Sequence, residues 1–159
     1  MTRLRFLLIA ILVGVVSTLA PAAVAAQDDA ARVSGAGEAT LPEGVAFYGV
    51  VLSGMQLGQG VLIAADGSAV GQFHAVLSGT SVLGQPQEVT VEGEVNAGAA
   101  SGGGIVTFSG NATLSMGDGS VPVVGVPFSV TTSTEGVQLV VDGATFPQAN
   151  LTAGSVTIK

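Results

Sequence analysis

Very few side chains of this chain are suited to catalysis or metal binding, and His74 is the first of them to consider. It is the only histidine, and the chain has no cysteine. A conventional structural zinc site and a cysteine nucleophile are therefore excluded. In the segment QFHA, His74 alternates with Phe73 and Ala75, and successive side chains of a strand point to opposite faces. If Phe73 and Ala75 point into a core, His74 points to solvent, so we interpret it as a surface residue.

Three glutamates form the second candidate group. In the segment PQEVTVEGEV, the valines occupy one set of alternate positions, and Glu88, Glu92 and Glu94 occupy the other. Paired catalytic carboxylates flank the bond that they cleave, whereas these three share one face of a single strand. We interpret them as a solvated outer stripe that discourages pairing at a sheet edge.

Two Asp-Gly-Ser triplets are predicted to be turns. Asp66–Ser68 and Asp118–Ser120 lie between apolar alternating runs, and they lack the repeated acidic positions of a calcium loop. Asp-Gly at such a place is a strong hairpin signal, with positive φ expected at both central residues. Residues 134–136 and 142–143 are further turn candidates. The two triplets also form a weak repeat, which we attribute to shared turn chemistry.

Other chemical motifs are missing. No serine lies in a G-x-S-x-G elbow, and the glycines 102–104 precede a predicted strand rather than the helix that a phosphate cradle needs. The sequence therefore predicts no catalytic residue, no cofactor-binding residue and no metal ligand.

The elements that carry these residues are predicted to be strands throughout. Apolar and polar residues alternate in short runs separated by Gly-rich turns, and no segment after the leader shows a sustained helical period. We expect an all-β fold: an antiparallel barrel or barrel-like sandwich of about eight to ten strands. The predicted strands are 32–40, Val45–Ser53, Leu57–Ala64, Val70–Ser78, Pro86–Val95, Ile105–Met116, Val121–Thr132, Gly136–Asp142 and Gly154–Lys159.

Glycines inside these strands are expected at bends and bulges. They are Gly49, Gly60, Gly71, Gly93, Gly110 and Gly125. In particular, the long run that begins at Ile105 is predicted to bend at Gly110 and to bury the face that carries Val106 and Met116.

The chain begins with a predicted signal peptide. Residues 1–26 have two arginines, an apolar stretch and small residues before a cleavage site after Ala25 or Ala26. Residues 27–31 are expected to be a flexible acidic lead, and residues 32–159 a single β domain. The mature protein is thus predicted to be secreted, to an extracellular or periplasmic location, with a bacterial style of leader and no membrane span after cleavage.

Charge excludes several classes of partner. After removal of the leader, two cations remain against eleven carboxylates, so the formal charge is −9. Binding of nucleic acid requires Lys and Arg at the phosphates, so we exclude nucleic acid as a partner and regard anionic membrane surfaces as a poor one. The mature chain has no tryptophan and one tyrosine, too few aromatic residues for the girdles of an outer-membrane barrel.

Two functions remain open from the sequence. The first is a non-enzymatic secreted β domain that acts as a structural or interaction module at or outside the cell envelope, with a protein or envelope component as partner. The second is a small β-barrel that carries an apolar small molecule, since small barrels can enclose one ligand. No cofactor is expected in either case.

Overall fold

A computed structural model of the chain describes residues 29–159, and the predicted signal peptide lies outside them. Within that range there is no helix, and hence none long and apolar enough to cross a membrane. Ten strands are formed: β1 (Asp29–Thr40), β2 (Ala46–Phe47), β3 (Val50–Ala64), β4 (Ser68–Thr80), β5 (Pro86–Ser101), β6 (Ile105–Ser115), β7 (Val123–Thr132), β8 (Gly136–Val141), β9 (Ala144–Thr145) and β10 (Ala149–Ile158).

The pairing of these strands is antiparallel throughout and follows a ring. β1 pairs with both β3 and β10, and the path from β3 through β4, β5, β6, β7 and β8 leads back to β10. The two short strands lie off this ring, with β2 paired to β3 and β9 paired to β8. The all-β antiparallel class and the expected number of strands are thus confirmed.

The core lies on the side of the sheet that faces the interior of the ring. Along β3, the odd-numbered residues from Met55 to Ile63 are buried, and the residues between them are exposed or half-buried. Phe73 is central to this core, because its ring centroid lies 6.0 Å from that of Phe108 and 5.7 Å from that of Phe128. The alternation predicted from the sequence therefore identifies the buried face correctly.

One predicted strand boundary is wrong. The sequence suggested separate strands Val45–Ser53 and Leu57–Ala64, but the chain turns at Tyr48-Gly49 and then continues as the single strand β3. Tyr48 and Gly49 have φ of 46° and 83°, which fits the two-residue hairpin turn that reverses a chain between paired strands. Gly49 is therefore a turn residue, and not a bend inside a strand.

Two other glycines are required where the chain packs closely. At Gly110, an added Cβ would lie 1.8 Å from the carbonyl oxygen of Glu94. β5 has a register shift between Val95 and Ala97 directly opposite, so the irregularity predicted at Gly110 lies in the partner strand. At Gly93, an added Cβ would lie 2.5 Å from Cζ of Phe128. The missing side chain of Gly93 thus provides the space for that ring.

Several strands are longer than predicted. β1 begins at Asp29 and so includes the last residues of the segment assigned to the lead, while β5 continues to Ser101 and β10 begins at Ala149. Cross-strand pairing extends these strands through small residues that carry little strand propensity. The face of β6 that carries Val106, Phe108 and Leu114 is buried, as predicted.

Candidate functional site

The outer face of β4, β5 and β6 brings together His74 and two of the glutamates. His74 lies opposite Gly58 on one side and Glu92 on the other, and Glu92 lies opposite Thr113. These four residues form one row across the strands. A second row runs beside the first and consists of Gly60, Gln72, Glu94 and Asn111. Between the two rows is a groove of about 550 Å³. The sequence placed His74, Glu92 and Glu94 on a wet face, and all three are exposed there.

This polar face is the place where acid–base chemistry or metal binding would be sought. Within residues 29–159, no group of three His, Cys, Asp or Glu side chains could hold a metal ion. His74 and Glu92 are both exposed. That none of these residues is catalytic remains a prediction.

The two Asp-Gly-Ser triplets share one turn chemistry. Oδ1 of Asp66 accepts hydrogen bonds from the backbone N–H of Ser68 at 2.9 Å and from its hydroxyl at 2.6 Å. Oδ1 of Asp118 accepts one from the backbone N–H of Ser120 at 2.9 Å. Hydrogen bonds from these serines lower the pKa of each carboxyl. The side chains of both aspartates are thus engaged within their own turns.

The predicted backbone geometry of these triplets is wrong in one respect. Only the glycines, Gly67 and Gly119, have positive φ, whereas Asp66 and Asp118 do not. The connection between β3 and β4 has three residues, for which a left-handed glycine after an ordinary turn is usual. Two positive φ values occur instead at Asp142-Gly143, where the two-residue loop between β8 and β9 requires them.

One end of the molecule exposes large apolar side chains. Tyr48 is 65% exposed, and Val82 and Leu83 in the connection between β4 and β5 are 84% and 83% exposed. These three residues, together with Met116 and Asp118, line a groove of about 490 Å³. Val121 in the connection from β6 to β7, and Val123 and Val124 at the start of β7, add further exposed apolar side chains. We refer to this set of residues as the apolar end.

A contact to a distant turn fixes the position of Tyr48 at the apolar end. The Tyr48 hydroxyl donates a hydrogen bond to Oδ2 of Asp142. Beside it, the buried ring of Phe47 packs edge-on against Phe146, with centroids 5.4 Å apart. The Asp142 carboxylate raises the pKa of Tyr48, through the hydrogen bond first and its negative charge second. This contact cannot be predicted from the sequence, because nothing along the chain connects two turns that are 94 residues apart.

Among residues 29–159, one polar pair lies in the interior. Nε2 of Gln59 on β3 donates to Oγ1 of Thr132 on β7 at 3.1 Å, and both residues are buried. Because β3 and β7 are not neighbours in the ring, this hydrogen bond crosses the interior. Oε1 of Gln59 has no hydrogen-bond partner among the described residues. No local pattern in the sequence predicts this pair.

Comparison with known proteins gives no family for this chain. No family model matches it, and no curated protein or solved structure matches it either.

Proposed function

We propose that this protein is an exported, non-enzymatic interaction module that acts at or outside the cell envelope. We further propose that its ring of paired strands is a small closed barrel, which serves as a rigid support for the connections at its ends. Each long strand of the ring is paired on both sides over at least part of its length, and β8 and β10 close the ring at Ala149 and Asn150. Such a scaffold would hold its loops in fixed relative positions.

The observation that carries this proposal is the apolar end. Exposed apolar patches on a water-facing protein are characteristic of surfaces that contact a partner. Tyr48 lies in the turn between β2 and β3, and Val82 and Leu83 lie in the connection between β4 and β5, yet all three line one groove. Aromatic residues are enriched at the centres of such interfaces. Together these features favour a surface that binds another macromolecule.

The alternative, a carrier of an apolar small molecule, receives less support from the interior. A carrier needs an enclosed space of several hundred Å³. Here the buried ring of Phe73 packs against the buried rings of Phe108 and Phe128, with centroids 6.0 and 5.7 Å apart. The grooves beside His74 and beside Tyr48 are lined mainly by exposed residues. A filled core explains the inward apolar residues without a ligand.

Extraction of the native protein with organic solvent distinguishes these two functions. For an interaction module, mass spectrometry of the extract should find no apolar compound in molar proportion to the protein. A stoichiometric lipid or pigment that also raises the melting temperature of the protein would establish the carrier instead.

Cosedimentation with cell-envelope fractions of the source organism tests the interaction function itself. The variant with Val82→Ser and Leu83→Ser should lose at least about fivefold in binding, since truncated interface anchors cost that much or more. Val70→Ser is the matched control, because Val70 is 65% exposed on β4 but lies outside the apolar end. His74→Ala and Glu92→Gln should leave binding unchanged. Equal binding by all variants would contradict the assignment of the apolar end.

A further inference from the structure

The ring of strands leaves one long backbone edge with few partners. β10 pairs with β1 over Asn150 to Ile158, but with β8 only at Ala149 and Asn150. One further backbone hydrogen bond joins Leu151 N–H to the carbonyl of Glu135. On the side away from β1, the part of β10 from Thr152 to Ile158 has no paired strand within residues 29–159.

The register identifies which backbone groups point outward from this edge. Arg32 and Lys159 exchange two backbone hydrogen bonds, of 2.8 and 2.9 Å. In an antiparallel pair, such residues alternate with residues whose N–H and C=O point away from the partner strand. The residues whose backbone N–H and C=O point away from β1 are therefore Ile158, Val156 and Gly154. The positive φ of Gly154 distorts the edge at that point.

The edge lacks the usual devices that prevent strand addition. Natural edges are protected by proline, by charged side chains or by a covering segment. From Thr152 to Ile158 the sequence is TAGSVTI, which has no proline and no charge. The irregularity at Gly154 interrupts it, and the exposed Lys159 follows it. Between them, the residues from Ser155 to Ile158 carry no such device.

We propose that the edge of β10 accepts an extended segment of a partner polypeptide, which adds to the sheet as an antiparallel strand. This inference rests on the proposed function as an interaction module and names a class of partner for it. Main-chain hydrogen bonds supply affinity in this mode of recognition, and alternate side chains supply specificity. The groups that point away from β1, and that would bond to the added segment, are the N–H and C=O of Val156 and Ile158.

Side chains and charge specify the added segment further. Val156 is buried and Ile158 is half-buried against the core, so the partner residues opposite them must be apolar. Lys159 and, opposite it on β1, Arg32 are the two cations of the described chain, and both are exposed. An acidic residue opposite Lys159 would pair with them. Because every pairing of the ring is antiparallel, this acidic residue stands at the amino end of the added segment.

A second copy of this chain is a poorer occupant of the same edge. Two mature chains of formal charge −9 repel each other. The segment TAGSVTI also offers no carboxylate to Lys159. A partner of different sequence can carry less negative charge and can place a carboxylate opposite Lys159.

The test uses NMR of the purified exported protein with a capped synthetic peptide, Glu-Val-Thr-Val-Thr. We expect the amide signals of Val156 and Ile158 to shift downfield and their hydrogen exchange to slow, because each N–H gains a hydrogen bond. The same peptide with both valines N-methylated cannot donate to β10, and it should cause no such shift. With lysine in place of glutamate, affinity should fall by at least about threefold, as expected for one exposed ion pair.

A variant of the protein tests the proposed strand addition independently of the peptide variants. Ile158→Pro removes an N–H that points away from β1, so we expect it to preserve folding and to weaken binding of the peptide by at least about fivefold. If this variant fails to fold, the comparison with the N-methylated peptide alone decides.

Three outcomes would overturn the inference. Equal binding of the N-methylated peptide would show that the backbone edge is not used. A concentration-dependent dimer that perturbs Val156 without peptide would assign the edge to a second copy. Shifts confined to Tyr48, Val82 and Leu83 would place binding at the apolar end, and in that case the proposed function stands while the strand-addition site fails.

Discussion

Tyr48 gives the apolar end a spectroscopic reporter. It is the only tyrosine, and the chain has no tryptophan. Its hydroxyl donates to the Asp142 carboxylate, which disfavours the negative tyrosinate and raises the pKa of Tyr48 above the ordinary value of 10.0. A single chromophore therefore reports whether the β2–β3 hairpin and the β8–β9 turn stay in contact.

Titration of the tyrosinate absorbance should show ionisation of Tyr48 at higher pH in the folded protein than in the denatured one. Because the folded-state pKa is raised, any stabilisation from this contact is complete below the unfolded pKa and is lost as the pH rises through the folded pKa. Asp142→Asn removes the charge and should move the ionisation towards its ordinary pH. An unchanged titration in Asp142→Asn would contradict the contact.

Gly93 tests how tightly the core is filled. Gly93→Ala places a methyl group against the Phe128 ring, so we expect a loss of about 1–3 kcal/mol in the free energy of unfolding, as for other overpacked cores. Gly58→Ala is the matched control, since an added Cβ there meets nothing within 4 Å. It should be neutral or stabilising by about 0.4–1 kcal/mol. Urea denaturation of both variants measures the difference, and equal stabilities would argue against a filled core.

At the scale of elements, Gln59 and Thr132 connect two strands that are not neighbours. β3 and β7 face each other across the interior, and the hydrogen bond between these two residues is the polar contact across it. Buried polar groups cost free energy when they lose a partner, whereas an apolar replacement of both partners is nearly neutral. We therefore expect the pair to contribute more to the choice of which strands face each other than to the free energy of unfolding.

A double-mutant cycle checks this interpretation of the pair. Thr132→Val leaves the Gln59 amide without its partner, and we expect the free energy of unfolding to fall by about 1–3 kcal/mol. The double variant with Gln59→Leu and Thr132→Val should recover most of that loss, because no buried polar group remains unpaired. If the two substitutions are simply additive, the two side chains are not coupled in the folded protein.

At the scale of the whole molecule, the contact between β8 and β10 is the weakest part of the ring. It has two paired positions, at Ala149 and Asn150, whereas β3 and β4 pair over Val51 to Ile63. Local opening free energies follow the amount of pairing and burial that an opening removes. The ring should therefore open first between β8 and β10.

Native-state hydrogen exchange measures this opening. We expect amides that bond between β8 and β10 to exchange at least about tenfold faster than those between β3 and β4. Nuclear Overhauser contacts between Val137 and Ala149 test closure directly. Their absence, with the contacts between β1 and β10 retained, would indicate an open sheet and would contradict the proposed barrel.

Much of the fold follows from local chemistry along the chain. Alternation in QFHA places His74 outside and Phe73 inside, and the structure agrees. Turn positions at Asp66-Gly67 and Asp142-Gly143 are also predicted correctly, because glycine and aspartate favour such backbone conformations locally. The turn at Tyr48-Gly49 is not predicted, since tyrosine favours strands and a bulky residue rarely adopts positive φ.

The candidate binding surfaces depend more on the tertiary structure than the strands and turns do. The sequence by itself determines the antiparallel strands, the buried face and the charge, because each follows from the type and spacing of nearby residues. Only the tertiary structure decides that Tyr48 meets Asp142, that Gln59 meets Thr132, and that β10 has an edge without a paired strand. These features depend on the stagger with which distant strands pair around the ring, and no local pattern encodes that stagger.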